Sequence, residues 1–199
     1  MTKRNLLFLF VCAGLIFALI AGVYVYRLNR PPGPEEAQEL LRTFIGRIAG
    51  GDLAGARELM TPETAQLLRD PGTALGRTVY RNLTLVSAEN ILPSGENGLS
   101  ADVVLSAPDT LAIMAKAGQL FAEQVTENGP AEDPDAAVAE IYDELLARDD
   151  LPLLPQFLIV RMVRKGGSLR IVGDAALQSA VEGGSTDAMN GISTVLGSE

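Results

Sequence analysis

The chain has 199 residues, of which 25 are acidic and 16 basic, and it contains no histidine and one cysteine, Cys12. The length suits a single domain, and the lack of histidine excludes serine–histidine and cysteine–histidine catalytic pairs and most zinc sites. Residues 31–199 hold twelve basic and all 25 acidic residues, a net charge near −13, so nucleic-acid phosphates and anionic lipid headgroups repel this part.

Residues 6–26 form an uncharged run of 21 residues between Arg4 and Arg27. A helix of that length spans about 31 Å, close to the hydrocarbon thickness of a bilayer. Tyr24 and Tyr26 stand where an aromatic belt holds a helix at the membrane interface. We therefore predict an N-terminal membrane anchor over residues 1–30, with a single transmembrane helix at 6–26.

Three other interpretations of this run fit less well. A cleaved signal peptide needs small residues at positions −3 and −1 of its cleavage site, and residues 18–23 offer no good pair. A lipoprotein signal needs a small residue before its cysteine, whereas Cys12 follows Val11. A buried core helix would carry a polar face. Because basic residues flank both ends, the shortness of the leading segment decides the predicted orientation, with the domain outside the cytoplasm.

Residues 31–34 are a proline-rich spacer that cannot continue the anchor helix, and we predict that the domain occupies 35–182. Apolar residues recur at three- and four-residue steps over 35–49, which predicts an amphipathic helix. Asp52 is placed to cap a second helix over residues 53–60.

The pattern then changes from helix to strand. Thr61 followed by proline predicts a third helical piece over 61–68. Residues 78–88 are rich in β-branched and aromatic side chains and predict a long strand. Apolar and polar residues alternate over 99–107, which predicts a second strand with one buried face.

Residues 109–149 predict an acidic helical hairpin inserted between strands. The apolar stripe of its first helix comprises Leu111, Met114, Gly118, Phe121 and Val125. Pro134 opens the second helix, whose apolar face comprises Val138, Ile141, Tyr142 and Leu145. A solvated surface explains the many carboxylates of this hairpin.

Two strands close the domain. Residues 157–164 are apolar on both faces as far as Arg161, which predicts a central strand, and a glycine turn leads into a last strand over 169–172. The tail over 183–199 is rich in glycine and serine and is predicted to be flexible. Helices segregated from an antiparallel sheet define an α+β fold.

One segment, residues 44–60, resembles a pattern of the nuclear-transport-factor-2-like superfamily. An aromatic residue on the first helix, Phe44, precedes a Gly51-Asp52 turn and a short helix that ends in Leu59-Met60. The resemblance covers roughly residues 35–180 and implies a curved antiparallel sheet packed on the N-terminal helix, the cystatin-like cone. The helical hairpin departs from the family pattern. Membrane-anchored bacterial proteins with an exported domain of this kind and such an insert are similar.

Few residues suggest chemistry. The carboxylates Glu132, Asp133 and Asp135 cluster, but Pro134 interrupts them and helix capping explains them better than a metal. The resemblance implies that Asp102 and Tyr80 are the nearest candidates for an acid–base pair of the isomerase members, although the strand alternation does not turn both inward.

Two surface features remain. Arg161, Arg164, Lys165 and Arg170 form a basic patch, which could pair with the acidic hairpin within the molecule or bind an acidic partner. Internal pairing or solvation is the simpler interpretation. Asn82-Leu83-Thr84 has the glycosylation spacing but falls within the predicted strand, so we interpret it as chance.

We therefore assign no catalytic, cofactor-binding or metal-binding residue. The leading hypothesis is a non-enzymatic protein-interaction or assembly module, held outside the cell membrane by its anchor, with the bilayer and an envelope protein as partners and no nucleic acid. The alternative is a binder or carrier of small hydrophobic ligands on the concave face of the sheet. A third hypothesis, an isomerase-like enzyme, requires Asp102 to be buried.

Overall fold

The computed structural model describes residues 32–148 and 150–184, together with residues 16, 17, 19 and 22. Within these residues the chain has one four-stranded antiparallel sheet and six helices, which confirms the predicted α+β class. The helices and strands are, in chain order, α1 (Pro34–Ala49), α2 (Leu53–Glu58), α3 (Ala74–Arg81), β1 (Thr84–Pro93), β2 (Gly98–Pro108), α4 (Thr110–Asn128), α5 (Pro134–Leu146), β3 (Leu153–Lys165), β4 (Ser168–Val172) and α6 (Ala175–Val181).

The helix α1 supplies one side of the hydrophobic core. Its first turn carries Glu35 and Glu36, which suit the positive end of the helix dipole. As predicted, its buried side chains recur at three- and four-residue steps: Ala37, Leu40, Leu41, Phe44, Ile45 and Ile48. They form one cluster with the inward side chains of β2, so α1 lies against the inner face of the sheet.

Asp52 caps α2, as predicted. Its carboxylate accepts a hydrogen bond from the amide of Gly55 at 2.9 Å. A Cβ at position 55 would lie only 2.1 Å from the Oδ2 atom of Asp52, so this close approach requires glycine. The helix ends at Glu58, two residues earlier than predicted, because the chain then turns to pair with β4.

The main chain of residues 59–61 runs along the edge of β4. The amide of Thr61 donates to the carbonyl of Ile171 at 2.8 Å, and the amide of Ile171 donates to the carbonyl of Leu59 at 2.9 Å. A parallel bridge therefore covers this edge of the sheet. The helix predicted over 61–68 is wrong apart from one 3₁₀ turn at Ala65–Leu67, since the sheet already uses the amide of Thr61.

The strand predicted over 78–88 is wrong in its first half. The hydroxyl of Thr73 accepts a hydrogen bond from the amide of Gly76 at 3.1 Å and begins α3 instead. Val79 and Tyr80 are both buried. Two successive side chains can face the core from a helix but not from a strand, so their burial overrides the β propensity of this stretch. The strand β1 begins only after α3 and ends five residues beyond the predicted end.

The strands follow one another in the order β1-β2-β3-β4. The predicted strand 99–107 lies within β2, and its alternating apolar side chains are buried. The strand β3 is central, as predicted, but begins four residues earlier, at Leu153. Gly166 and Gly167 turn the chain into β4 with φ angles of 62° and 84°, a conformation that favours glycine.

The two helices of the hairpin lie between β2 and β3 in sequence and pack on each other. In α5 the predicted face is confirmed, since Ile141 and Leu145 are buried and contact Ala117 of α4 through a small separate cluster. The carboxylate of Asp133 caps α5 by accepting hydrogen bonds from two amides, each at 3.1 Å. Capping is thus the observed role of this carboxylate.

The apolar stripe predicted for α4 is wrong in its N-terminal part, whereas Phe121 near its other end packs against the small cluster as predicted. Leu111 and Met114 are exposed, whereas Thr110 and Ile113 are buried. The hydroxyl of Thr110 donates to the carbonyl of Gly183 at 3.1 Å, and this contact turns the face that contains Thr110 inward. The predicted apolar stripe therefore faces solvent at its first two positions.

The helix α6 was not predicted. The carboxylate of Asp174 accepts a hydrogen bond from the amide of Leu177 at 2.9 Å, and the helix buries its apolar side chains in the main core. The predicted flexible tail lies outside the described residues from 185 onward, as do the predicted anchor at 6–26, apart from the four residues given above, and Pro31 of the spacer. In the described part of the chain, no helix combines the length and apolarity needed to cross a membrane.

Candidate interaction surface

The structure separates the two candidate acid–base residues. Asp102 lies exposed on the outer face of β2, where its carboxylate accepts a hydrogen bond from the side-chain amide of Asn90 at 2.7 Å. Tyr80 is buried in α3, and its hydroxyl donates to the carbonyl of Arg69 at 2.9 Å. The implied pairing of Asp102 with Tyr80 is therefore wrong, and the exposure of Asp102 removes the basis of the isomerase-like hypothesis.

The basic patch is neutralised within the molecule. Its side chains contact groups of the first helices and of the segment after β4: Arg161 with Asp174 at 3.9 Å, Arg164 with Glu36 at 2.5 Å, Lys165 with Glu63, and Arg170 with the carbonyls of Glu58 and Met60. The hydrogen bond from Lys165 holds the pKa of Glu63 below its ordinary value. Pairing within the molecule, the simpler interpretation, is confirmed, but the acidic hairpin is not the partner.

Two other sequence candidates have local roles. The side-chain amide of Asn82 donates to the carbonyl of Thr78 at 2.9 Å and closes the end of α3, so this residue is not in a strand. Among the described residues, no group of three or more acidic or cysteine side chains is arranged to hold a metal ion. Glu132 and Asp135 flank the cap residue Asp133 and are exposed.

The buried side chains of α1 and of the inner face of the sheet form one packed core. Beside this core, the gap bordered by Phe44, Met60, Tyr80 and Leu177 has a volume of only about 10 Å³. That is roughly the smallest space that holds one water molecule. A hydrophobic ligand on the inner face would therefore have to displace core side chains, which the alternative hypothesis did not anticipate.

The outer face of the sheet presents apolar side chains to solvent. Phe157 and Ile159 on β3 are 78% and 62% exposed. Phe157 is paired across the strands with Val104, and Val86 is exposed at an irregularity in the pairing of β1 with β2. These four residues are called the outer patch below. A shallow depression of about 380 Å³ is bordered by Val104, Phe157 and Ile159 of this patch and also by Glu89 and Asp102.

The outer patch was not identified from sequence, although its signal was present. Residues 157–160 are apolar at successive positions, which is typical of a strand covered on both faces. The structure covers only the inner face, where Val160 is buried. Exposed apolar side chains grouped in this way are a feature of many interaction surfaces.

Comparison with known proteins gives no information about this surface. The chain matched no protein-family model, no curated protein and no solved structure.

Proposed function

We propose that this chain is a single-pass membrane protein whose extracytoplasmic domain is a non-enzymatic protein-interaction or assembly module. The uncharged run at 6–26 and the proline spacer that follows it support the anchor. The observation that carries the interaction role is the exposure of Phe157 and Ile159 at the centre of the sheet. Large apolar side chains on a rigid strand are the usual centre of a protein interface.

The energetic case rests on these two side chains. Removing a phenylalanine or isoleucine side chain from water stabilises a complex by about 1.5–3 kcal/mol for each residue. Because both lie on the central strand β3, they need little ordering when a partner binds. Burial of these two side chains would therefore contribute about 3–6 kcal/mol, with contacts around them offsetting the rest of the cost of association.

The surroundings of the outer patch define the partner. Glu89 and Asp102 border the depression, and the surrounding domain is strongly acidic. A partner protein with an apolar centre and basic flanking residues would bury Phe157 and Ile159 and pair with these carboxylates. The charge also favours recruitment of such a partner over binding to the anionic headgroups of the membrane.

Site-specific crosslinking of the full-length chain in cells tests this role. A photo-reactive amino acid at position 157 is expected to capture a defined partner, whereas the same group at position 140, an exposed site on the helix α5, should not. The double substitution Phe157→Thr and Ile159→Thr puts β-branched residues with high strand propensity at both positions and is expected to abolish complex formation, with Glu140→Ala as the control. Equal crosslinking from both positions would contradict the proposal.

The nuclear-transport-factor-2-like resemblance belongs to the same proposal. Phe44 and Met60 of the matching segment lie in one core with the sheet, and Asp52 caps the short helix between them. This arrangement is consistent with the family pattern and supports a cone-type domain with a helical insertion. An experimental structure with a flat, open sheet would contradict it.

Export of the domain is tested separately. A reporter enzyme that is active only outside the cytoplasm, fused after Glu199, is expected to give signal. A reporter that is active only inside should stay silent at the same position. The reverse pattern would overturn the proposed orientation without affecting the role of the outer patch.

A further inference from the structure

A groove of about 310 Å³ lies between α3, the start of α4 and the turn of residues 69–73. Its walls are mainly apolar and include Leu75, Val79, Leu111 and Met114. Leu111 and Met114 are the exposed positions of the stripe on α4, so they present apolar surface to the groove rather than to the core. The volume falls at the lower end of the range for small-molecule sites.

Hydrogen bonds hold the walls of the groove in place. The hydroxyl of Tyr80 donates to the carbonyl of Arg69 at 2.9 Å, which ties the turn to α3. Arg57 donates to the carbonyl of Leu68 and to the carboxylate of Asp70, both at 2.9 Å. A ligand would therefore meet a preformed site and would lose little free energy in ordering it.

The charged side chains along the groove differ in whether they have a partner within the molecule. Asp70 forms an ion pair with Arg57, and the carboxylate of Glu182 accepts a hydrogen bond from Gln178 at 3.1 Å. The guanidinium of Arg69 forms no hydrogen bond or ion pair with any described residue. Arg69 is exposed and lines the same groove as the apolar side chains. Arg77 and Arg81 of α3 likewise pair with no described residue, but of these three arginines only Arg69 lines the groove.

We propose that the groove binds a small amphipathic monocarboxylate, whose hydrocarbon chain lies against Leu75, Val79, Leu111 and Met114 and whose carboxylate pairs with Arg69. Arginine binds a carboxylate through two parallel hydrogen bonds, which fixes the orientation of the ligand. The hydrocarbon chain covers the side chains of Leu111 and Met114, which are now exposed to water. This site involves none of the residues of the outer patch, so the two proposals stand or fall separately.

Calorimetric titration of the full-length chain with decanoate and decanol tests the proposal. Decanoate is expected to bind, and Arg69→Gln should weaken it at least tenfold while changing decanol binding by less than twofold. Arg77→Gln is the matched control, because Arg77 is an exposed arginine of α3 that does not line the groove. It should leave the binding of both molecules unchanged.

A second variant tests the location of the hydrocarbon chain. Met114→Trp fills the groove from an exposed position and is expected to weaken both decanoate and decanol at least tenfold without loss of folding. Failure of decanoate to bind, or equal effects of Arg69→Gln and Arg77→Gln, would overturn the proposal. Binding that survives Met114→Trp would place the ligand elsewhere and overturn it as well.

Discussion

Alkaline titration of Tyr80 tests how tightly α3 is packed on the core. The side chain is 5% exposed, and its hydroxyl donates to the carbonyl of Arg69 at 2.9 Å. Burial disfavours the charged phenolate and raises the pKa of Tyr80 from 10.0 to about 12, and the nearby charge of Glu182 acts in the same direction.

The direction of the effect on stability follows from the two pKa values. Because the pKa is higher in the folded state, the folded chain retains the tyrosine proton that the unfolded chain releases. The contribution is complete below pH 10 and is lost as the pH rises from 10 to about 12. One pKa unit corresponds to 1.36 kcal/mol, so the free energy of unfolding is expected to fall by about 2–3 kcal/mol over this window.

The assay compares urea unfolding of the full-length chain and its Tyr80→Phe variant at several pH values from 9 to 12, in the same detergent. The variant keeps the packing but loses the hydrogen bond, so at pH 9 it should be less stable by about 1 kcal/mol. As the pH rises the difference should vanish and then reverse, because only the parent chain exposes on unfolding a tyrosine at position 80 that can release its proton. Parallel pH profiles for the two proteins would refute this reasoning.

Three further substitutions test the core and its connections by urea unfolding. Asp52→Ala removes the acceptor for the amide of Gly55 and should cost about 1 kcal/mol, whereas Asp52→Asn should retain most of the stability. Phe44→Ala, at a fully buried position, should cost about 3–5 kcal/mol, and a loss below 1 kcal/mol would contradict the packing of α1 on the sheet. Glu36→Gln leaves the guanidinium of Arg164, whose side chain is only 10% exposed, without its charged partner and should cost about 1.5 kcal/mol. A double-mutant cycle with Arg164→Met that gives no coupling would rule out this ion pair in solution.

Local signals predicted much of the fold. The spacing of Leu40, Phe44 and Ile48 predicted α1, and the alternation over 99–107 predicted β2, because each pattern records which side faces the core. The cap at Asp52 was equally readable, since the side chain and the amide it accepts from are three residues apart.

The predictions of secondary structure and of buried faces were wrong where a contact with a residue distant in sequence determines the local structure. The β-branched residues of 78–88 favour a strand locally, but Thr73 starts a helix that lets Val79 and Tyr80 face the core together. The rotation of α4 depends on a hydrogen bond between Thr110 and the carbonyl of Gly183, 73 residues later. No local pattern contains that information.

For the candidate sites, too, the sequence predicted what local patterns record and missed what depends on distant contacts. The pairing of the basic patch within the molecule was predicted in kind, but its partners, such as Glu36 for Arg164, lie 128 residues away. The exposure of Phe157 and the groove beside Arg69 depend on which surfaces other elements leave uncovered. Apolar residues on both faces of a strand indicate only that both faces need cover.

The segment 59–61 affects whether copies of this protein can pair through the edges of their sheets. By occupying the edge of β4, it removes the hydrogen-bonding groups on which another sheet would otherwise grow. The opposite edge, β1, is interrupted by two irregularities in its pairing and by Asn90 at a φ of 48°. The exposed side chains of Phe157 and Ile159 therefore lie on a sheet whose two edges are poorly suited to pairing with the strands of another copy.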